Sequence, residues 1–311
     1  MVRTLGVDVG GGSIVCGLVE EGVILHSKTV ATGQSPEALV DSVFEAISGV
    51  LESSSVMLGD VRGVGLGFPA FMDPASGWYR FPNIPEADDV DLEDMLAGRL
   101  KVKFVIGNDA DYTALGAVGH LSEFQNMKTG CGSKSIVELV LLTLGTGIGG
   151  GVVVKCGSGH EMLSGRGGLT ELGHMKVSED MKYVCGCGSI GCVEATSSCT
   201  AIVKAFGQGS DAKGVDELSA RGNPVAVQVM AEAGRHLGVA AANILNSFNP
   251  SFLAFTGGGA NSKAEGVFFR NAMEVMGKMA LPEAWEAVSV VKNPDAKRFG
   301  VLGAAYKAET L

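Results

Sequence analysis

Apolar and polar positions alternate along "RTLGVDVGGGSIVCGLVEEGVILHSKTVA", residues 3–31, and the alternation breaks at the glycine run 10–12 and again at Glu21-Gly22. That pattern predicts three β-strands joined by tight turns. "SPEALVDSVFEAISGVLESS", residues 35–54, places a proline near its start and then apolar residues at helical spacing, so it reads as a helix. "VRGVGLGFPAF" reads as a buried strand running into a loop. "KVKFVIGNDADYTALGAVGHL", residues 101–121, predicts a strand, a turn at Gly107-Asn108-Asp109 and an alanine-rich helix. Strand and helix therefore alternate, as in an α/β protein.

Residues 122–135, "SEFQNMKTGCGSKS", are small and polar and read as an exposed connection. "IVELVLLTLGTGIGGGVVVK" then repeats the opening arrangement of strand, glycine turn and strand, which points to an internal duplication. Further on, "PVAVQVMAEAGRHLGVAAANILNSFNP" is a long helix stopped by Asn249-Pro250, and "SFLAFTGGGA" is a buried strand ending in glycines. "FGVLGAAYKAETL" closes the chain as a small-residue helix. The expected organisation is two α/β lobes. One spans 1–117 with helix 299–311 returning to it; the larger spans 118–298.

Composition narrows the class. Apolar residues make up 46% and charged residues 19%, a folded rather than disordered balance, and 46 glycines suggest tight turns or backbone-lined ligand sites. The net charge of −10 disfavours nucleic acid and anionic membrane as partners. "MVRTLGVDVG" lacks a signal-peptide pattern, and the apolar runs fall short of a bilayer span, so a cytoplasmic protein is expected. Seven cysteines, an odd number, in a reducing compartment direct attention to metal or catalysis where they cluster.

Three glycine turns follow apolar strands: Gly10-Gly11-Gly12-Ser13, the turn opening with Gly145-Thr146-Gly147, and Gly257-Gly258-Gly259. Each could be a plain tight turn. Three together point to nucleotide binding, because backbone N–H groups without neighbouring Cβ atoms can close on phosphate oxygens. A Walker A Gly-Lys-Ser/Thr is missing. Asp8 ends the first strand, where it could cap the turn or hold magnesium. Asn108-Asp109 stands between strand and helix, either as an ordinary cap or as a carboxylate at a strand's C-terminal end, able to take a hydroxyl proton.

The sharpest signal is "GHMKVSEDMKYVCGCGSIGCVEA", residues 173–195, in which His174 precedes Cys185, Cys187 and Cys192. One imidazole and three thiolates match a closed tetrahedral structural zinc site, which pins a loop rather than doing chemistry. Glu171 lies just before His174 and Glu194 just after Cys192; exposed glutamates are usually just solvated, but flanking such a loop these two could instead be rigid acceptors for sugar hydroxyls.

Across its whole length the sequence resembles the ROK (repressor, open reading frame, kinase) sugar kinases of the actin–hexokinase–heat-shock-protein superfamily. "DVGGGS" and "LGTGIGGG" resemble the two phosphate loops, "TGGG" the adenosine motif and "GNDADYTALGA" the catalytic-aspartate segment. "ELGHMKVSEDMKYVCGCGSIGCVE" resembles the family's Glu-x-Gly-His and cysteine signatures. The resemblance implies a two-lobed actin-like ATPase (ribonuclease H-like) fold, with ATP–magnesium in one lobe and a hexose at the junction. It implies Asp109 as general base, zinc on His174, Cys185, Cys187 and Cys192, and sugar contacts from Asn108, Asp109, Glu171, His174 and Glu194. "FPNIPEADDVDL" resembles the sugar-side loop and adds Asn83. Two positions depart from the pattern. Gly12 stands where the family has threonine, leaving Ser13 as the nearest hydroxyl, and Thr170 stands where glycine is frequent.

The implied activity is ATP-dependent phosphorylation of a hexose, glucose first, by a homodimeric glucokinase-type enzyme. Fructose, N-acetylglucosamine and N-acetylmannosamine are alternative acceptors. A non-catalytic sugar sensor is the rival of a different class. The acidic charge and the start of the chain seven residues before Asp8 argue against a DNA-binding repressor.

Overall fold

A computed structural model describes residues 2–72, 76–77, 79–81, 90–119, 136–157, 159–164, 170–261, 266–293 and 295–311. The chain divides into two compact units. The first comprises Met1–Gly132, His160–Thr170 and Lys297–Leu311; the second comprises Ser133–Gly159 and Glu171–Ala296. Segment His160–Thr170 groups with the first unit, and Ser164 shows one reason: its hydroxyl donates to the buried Asp111 carboxylate at 3.1 Å.

In the first unit, β1 (Arg3–Val9), β2 (Ser13–Glu20) and β3 (Val23–Ala31) form antiparallel hairpins, as the alternation predicts. Helix α1 (Pro36–Ser54) starts under an N-cap, Ser35, whose hydroxyl accepts from Ala38 N–H, with Pro36 pre-set in the first turn. Its buried stripe of Leu39, Val43 and Ile47 covers the sheet face carrying Leu5, Val7 and Leu66. Strands β4 (Val64–Phe68) and β5 (Phe104–Asn108) then add in parallel, giving the order β3–β2–β1–β4–β5. No turn separates β5 from the next helix, α2 (Asp109–Val118); Asn108 ends the strand and caps the helix at once.

The second unit repeats this plan. β6 (Ile136–Leu144) and β7 (Ile148–Cys156) form an antiparallel hairpin closed at Leu144 and Ile148. Short helices follow, among them α3 (Val193–Ser197) and α4 (Cys199–Phe206). Then comes the long α5 (Pro224–Phe248), with Asn223 as N-cap and left-handed Asn249 as its stop. Strand β8 (Phe252–Thr256) pairs in parallel with β6, and β9 (Ser289–Lys292) with β8, between which lies α6 (Val267–Met279). Four of the five strands of this sheet run β7–β6–β8–β9. In both sheets an antiparallel hairpin is extended by two parallel strands, so the duplication read from the sequence is a duplication of topology.

The C-terminal helix α7 (Ala296–Glu309) packs on the first sheet with its backbone drawn close at two glycines. A Cβ on Gly6 would lie 2.0 Å from Val301 O, and one on Gly65 would lie 1.9 Å from Ala304 O. Among the described residues no helix is long and apolar enough to cross a membrane.

Candidate active site and metal centre

The first glycine turn has its carbonyls tied back. Thr32 Oγ1 donates to Gly10 O (2.6 Å), Gln34 Nε2 to Gly11 O (3.4 Å), Thr32 N–H to Gly12 O (3.4 Å) and Gly10 N–H to Ser13 O (3.0 Å). Among the described residues the N–H groups of Gly11 and Gly12 meet no acceptor. A Cβ on Gly12 would meet nothing within 4 Å, so the space above the turn is open. This is a concave set of donors suited to an anion.

The second turn is built the same way. Gly145 N–H donates to Gly147 O (2.9 Å), Cys199 N–H to Gly145 O (2.9 Å) and Thr200 Oγ1 to Thr146 O (2.8 Å). The N–H groups of Thr146 and Gly147 meet no acceptor among the described residues. The third run, Gly257–Gly259, turns sharply at Gly257 (φ +87°), where a Cβ would come within 2.7 Å of Leu144 O. Gly258 and Gly259 line a cavity of about 630 Å³ with Leu144, Ile202, Lys213 and Phe268, mostly apolar walls with a few polar groups. That volume accommodates a nucleoside.

Asp8 and Asp109 both belong to the first unit. Asn108 Oδ1 accepts from Ala110 N–H (2.9 Å) and Asp111 N–H (3.2 Å), fixing the start of α2. This places Asp109 at the strand's C-terminal end, half-buried, with Oδ1 on Ala110 N–H at 2.9 Å. Burial pushes the Asp109 carboxyl up to about 6, against the opposing pull of that N–H. Asp8 is raised well above the ordinary carboxylate range by burial and by the Asp109 charge, with Lys297 opposing. Two carboxylates near an open anion turn suit a cation and a proton acceptor.

In the second unit His174, Cys185, Cys187 and Cys192 converge, their ligand atoms all within 4.8 Å of one another. His174 Nδ1 lies 3.6 Å from Cys185 Sγ, and Cys187 Sγ lies 3.7 Å from Cys192 Sγ. Ligands about 2.1–2.3 Å from a tetrahedrally bound zinc stand roughly 3.5–3.8 Å apart, so the four groups fit that ion. Lys176 Nζ donates to Cys192 Sγ at 3.1 Å, setting a positive charge beside a thiolate-rich set. Gly191 (φ +75°) lets the loop close, since a Cβ there would sit 1.6 Å from Ser178 O.

The glutamates flank this centre. Glu171 Oε2 lies 3.7 Å from His174 Nε2, on the ring edge away from the thiols. Glu194 Oε2 accepts from Ile148 N–H at 3.0 Å, and its Oε1 accepts from Cys185 Sγ at 3.5 Å. Glu194 thus links the cysteine loop to the base of the second glycine turn. Asn83 lies outside the described residues.

A sequence profile described as the ROK family matches residues 4–310. The chain belongs to the ROK family. A glucokinase of Thermotoga maritima is 32% identical over 327 positions, covering 98% of this chain and 96% of that protein. Among solved structures, a ROK family glucokinase from Streptomyces griseus in complex with glucose and AMPPNP matches with a TM-score of 0.76 and 29% identity, covering 99% and 100% of the two chains. A ROK hexokinase from Thermus thermophilus matches with a TM-score of 0.80 and 28% identity over 99% of each. The fold is the actin-like ATPase fold of ROK sugar kinases.

Several residues of this ROK site escape the sequence reading. Thr32, Gln34 and Thr200 orient the glycine turns from positions without a motif, and Lys176 and Lys297 are isolated cations in the sequence. Only the pairing of β2 with β3, which sets Ser13 opposite Ala31, would have put Thr32 beside the turn.

Proposed function

We propose that this protein transfers the γ-phosphoryl group of ATP to the primary hydroxyl of a hexose, glucose first, giving glucose 6-phosphate and ADP. The observation that carries the reading is Asp109, a half-buried carboxylate held at a helix start with its proton affinity raised to about 6. It is ionised at neutral pH yet a stronger base than an ordinary carboxylate. A neutral sugar hydroxyl is a poor nucleophile, and proton acceptance by Asp109 as the O–P bond forms is worth about 10²–10⁴-fold. The open N–H groups of Gly11 and Gly12, and those of Thr146 and Gly147, bind phosphoryl oxygens. The cavity beside Gly258 and Gly259 takes the nucleoside.

Asp8 is the residue that would hold magnesium, whose charge offsets that of the phosphoryl oxygens. His174, Cys185, Cys187 and Cys192 would hold zinc with no coordination position left over, so the ion fixes the loop that carries Glu194. Glu171, His174 and Glu194, with Asn108 and Asp109, are the sugar-binding residues this reading assigns, on the strength of the family motifs. The test is ADP release from the purified protein across glucose, fructose, N-acetylglucosamine and N-acetylmannosamine. Glucose is expected to give the highest kcat/KM. Binding of a hexose with no phosphorylation of any of the four would replace the kinase by a sugar sensor.

A further inference from the structure

Beyond the residues assigned above, Lys297 holds a position at the first glycine turn that no motif announces. It begins the second residue of α7, and its Nζ donates to Ser13 Oγ at 2.6 Å. The helix cannot shift to carry it elsewhere. A Cβ on Gly300, less than one turn further along, would lie 2.5 Å from Asp8 Oδ1, and one on Gly303 would lie 1.8 Å from Tyr112 O. Lys297 is itself exposed, so its ammonium can serve a ligand without a large desolvation cost.

The turn beside it is short of positive charge. Its carbonyls are satisfied, its Gly11 and Gly12 N–H groups meet no acceptor among the described residues, and Gly12 brings no side chain. Backbone donors supply only partial charges, whereas a nucleotide's terminal phosphates carry several full negative charges. Asp8 and Asp109, the titratable acids beside this turn, supply no positive charge to it. An ammonium has three protons, and Ser13 occupies one of them.

We infer that Lys297 is a phosphate-binding residue of this site, its ammonium contacting the terminal phosphates of a nucleotide held by the Gly10–Ser13 turn. The inference rests on the nucleotide reading of that turn but not on phosphoryl transfer. A charge-assisted contact of this kind is commonly worth tenfold or more in affinity. It also adds to the salt dependence of binding, because the contact is between full charges near solvent.

The experiment is equilibrium binding of a non-hydrolysable ATP analogue and of adenosine to wild type, Lys297→Gln and Lys297→Arg, at low and high salt, without hexose. Lys297→Gln should weaken the analogue about tenfold or more, leave adenosine within about twofold and flatten the salt dependence. Lys297→Arg should recover most of the loss. Thermal unfolding of each variant should match wild type, since the side chain is exposed. Equal losses for the analogue and adenosine would mean that Lys297 merely pins Ser13, and would overturn the inference. So would an unchanged affinity for the analogue, or a wild type that binds no triphosphate. A wild type that binds the analogue in this Lys297-dependent way yet phosphorylates no hexose would sink the kinase reading alone.

Discussion

At the scale of single residues, Asp109 shows what spacing can reveal and what it cannot. "GNDAD" marks a cap and offers two carboxylates. The structure separates them. Asp111 is buried against Ser164, a residue far along the chain, while Asp109 stays half-buried with its carboxyl raised to about 6. The sequence does not contain the burial that raises Asp109, because it comes from the folded surroundings. Asp109→Asn preserves size and the acceptor for Ala110 N–H but removes the base. Turnover on the best hexose should fall about 10²-fold or more, with hexose affinity much less affected. Wild-type kcat/KM should decline as pH drops through about 6, where Asp109 takes up a proton. The same shift predicts a stability change of known sign. In the folded state Asp109 holds its proton more tightly than in the unfolded chain, where its value is near 3.8. Below that value both states are protonated and nothing is lost. The cost grows as pH rises and is complete above about 6, on the order of 3 kcal/mol. Asp109→Asn should therefore melt higher than wild type at pH 7.5 and converge with it near pH 4. Near-wild-type turnover, or a lower melting point at pH 7.5, would count against the assignment.

At the scale of elements, the cysteine loop was legible because metal ligands are few in kind and close in sequence. What holds the loop was not. Tyr183 Oη and Lys182 Nζ both donate to Glu232 on α5, and the Tyr183 ring meets His236 edge-on at 5.2 Å. No local pattern links residue 183 to a helix some fifty positions on. The same holds for Glu194, read as a sugar acceptor alone, which also takes the Ile148 N–H under the second glycine turn. Gly191 tests the loop as a unit. With φ +75° and Ser178 O 1.6 Å from its would-be Cβ, alanine cannot be accommodated without moving the chain between two ligands. Gly191→Ala should lose most of its zinc and melt lower by several degrees, as should wild type stripped with a chelator. Elemental analysis alongside calorimetry checks both. A Gly191→Ala protein with a full zinc atom per chain and an unaltered melting point would show that the loop closes some other way.

At the scale of the whole molecule, two glycine-turn hairpins suggested a duplication, and the two sheets bear it out with the same order of one antiparallel hairpin and two parallel strands. The return of the last helix was also expected, but not how it docks. Gly6, Gly65, Gly116 and Gly303 look like unremarkable small residues in apolar runs; each instead sits where backbone meets backbone between α7 and the elements beneath it. These contacts join residues roughly 180 to 295 positions apart, so the first unit closes only when the end of the chain arrives. Gly65→Val should be severe, since its Cβ would lie 1.9 Å from Ala304 O and neither backbone can yield cheaply. The expected loss is about 3 kcal/mol or more, and it should fall unevenly. Every candidate zinc ligand lies in the second unit, which has its own core of Val140, Leu142, Leu237 and Phe255 against α5 and α6. Limited proteolysis of Gly65→Val should therefore cleave within residues 1–132 first and leave a protected, zinc-containing fragment from the second unit. Simultaneous degradation of the whole chain, with the metal released in the same step, would show instead that the two units unfold as one.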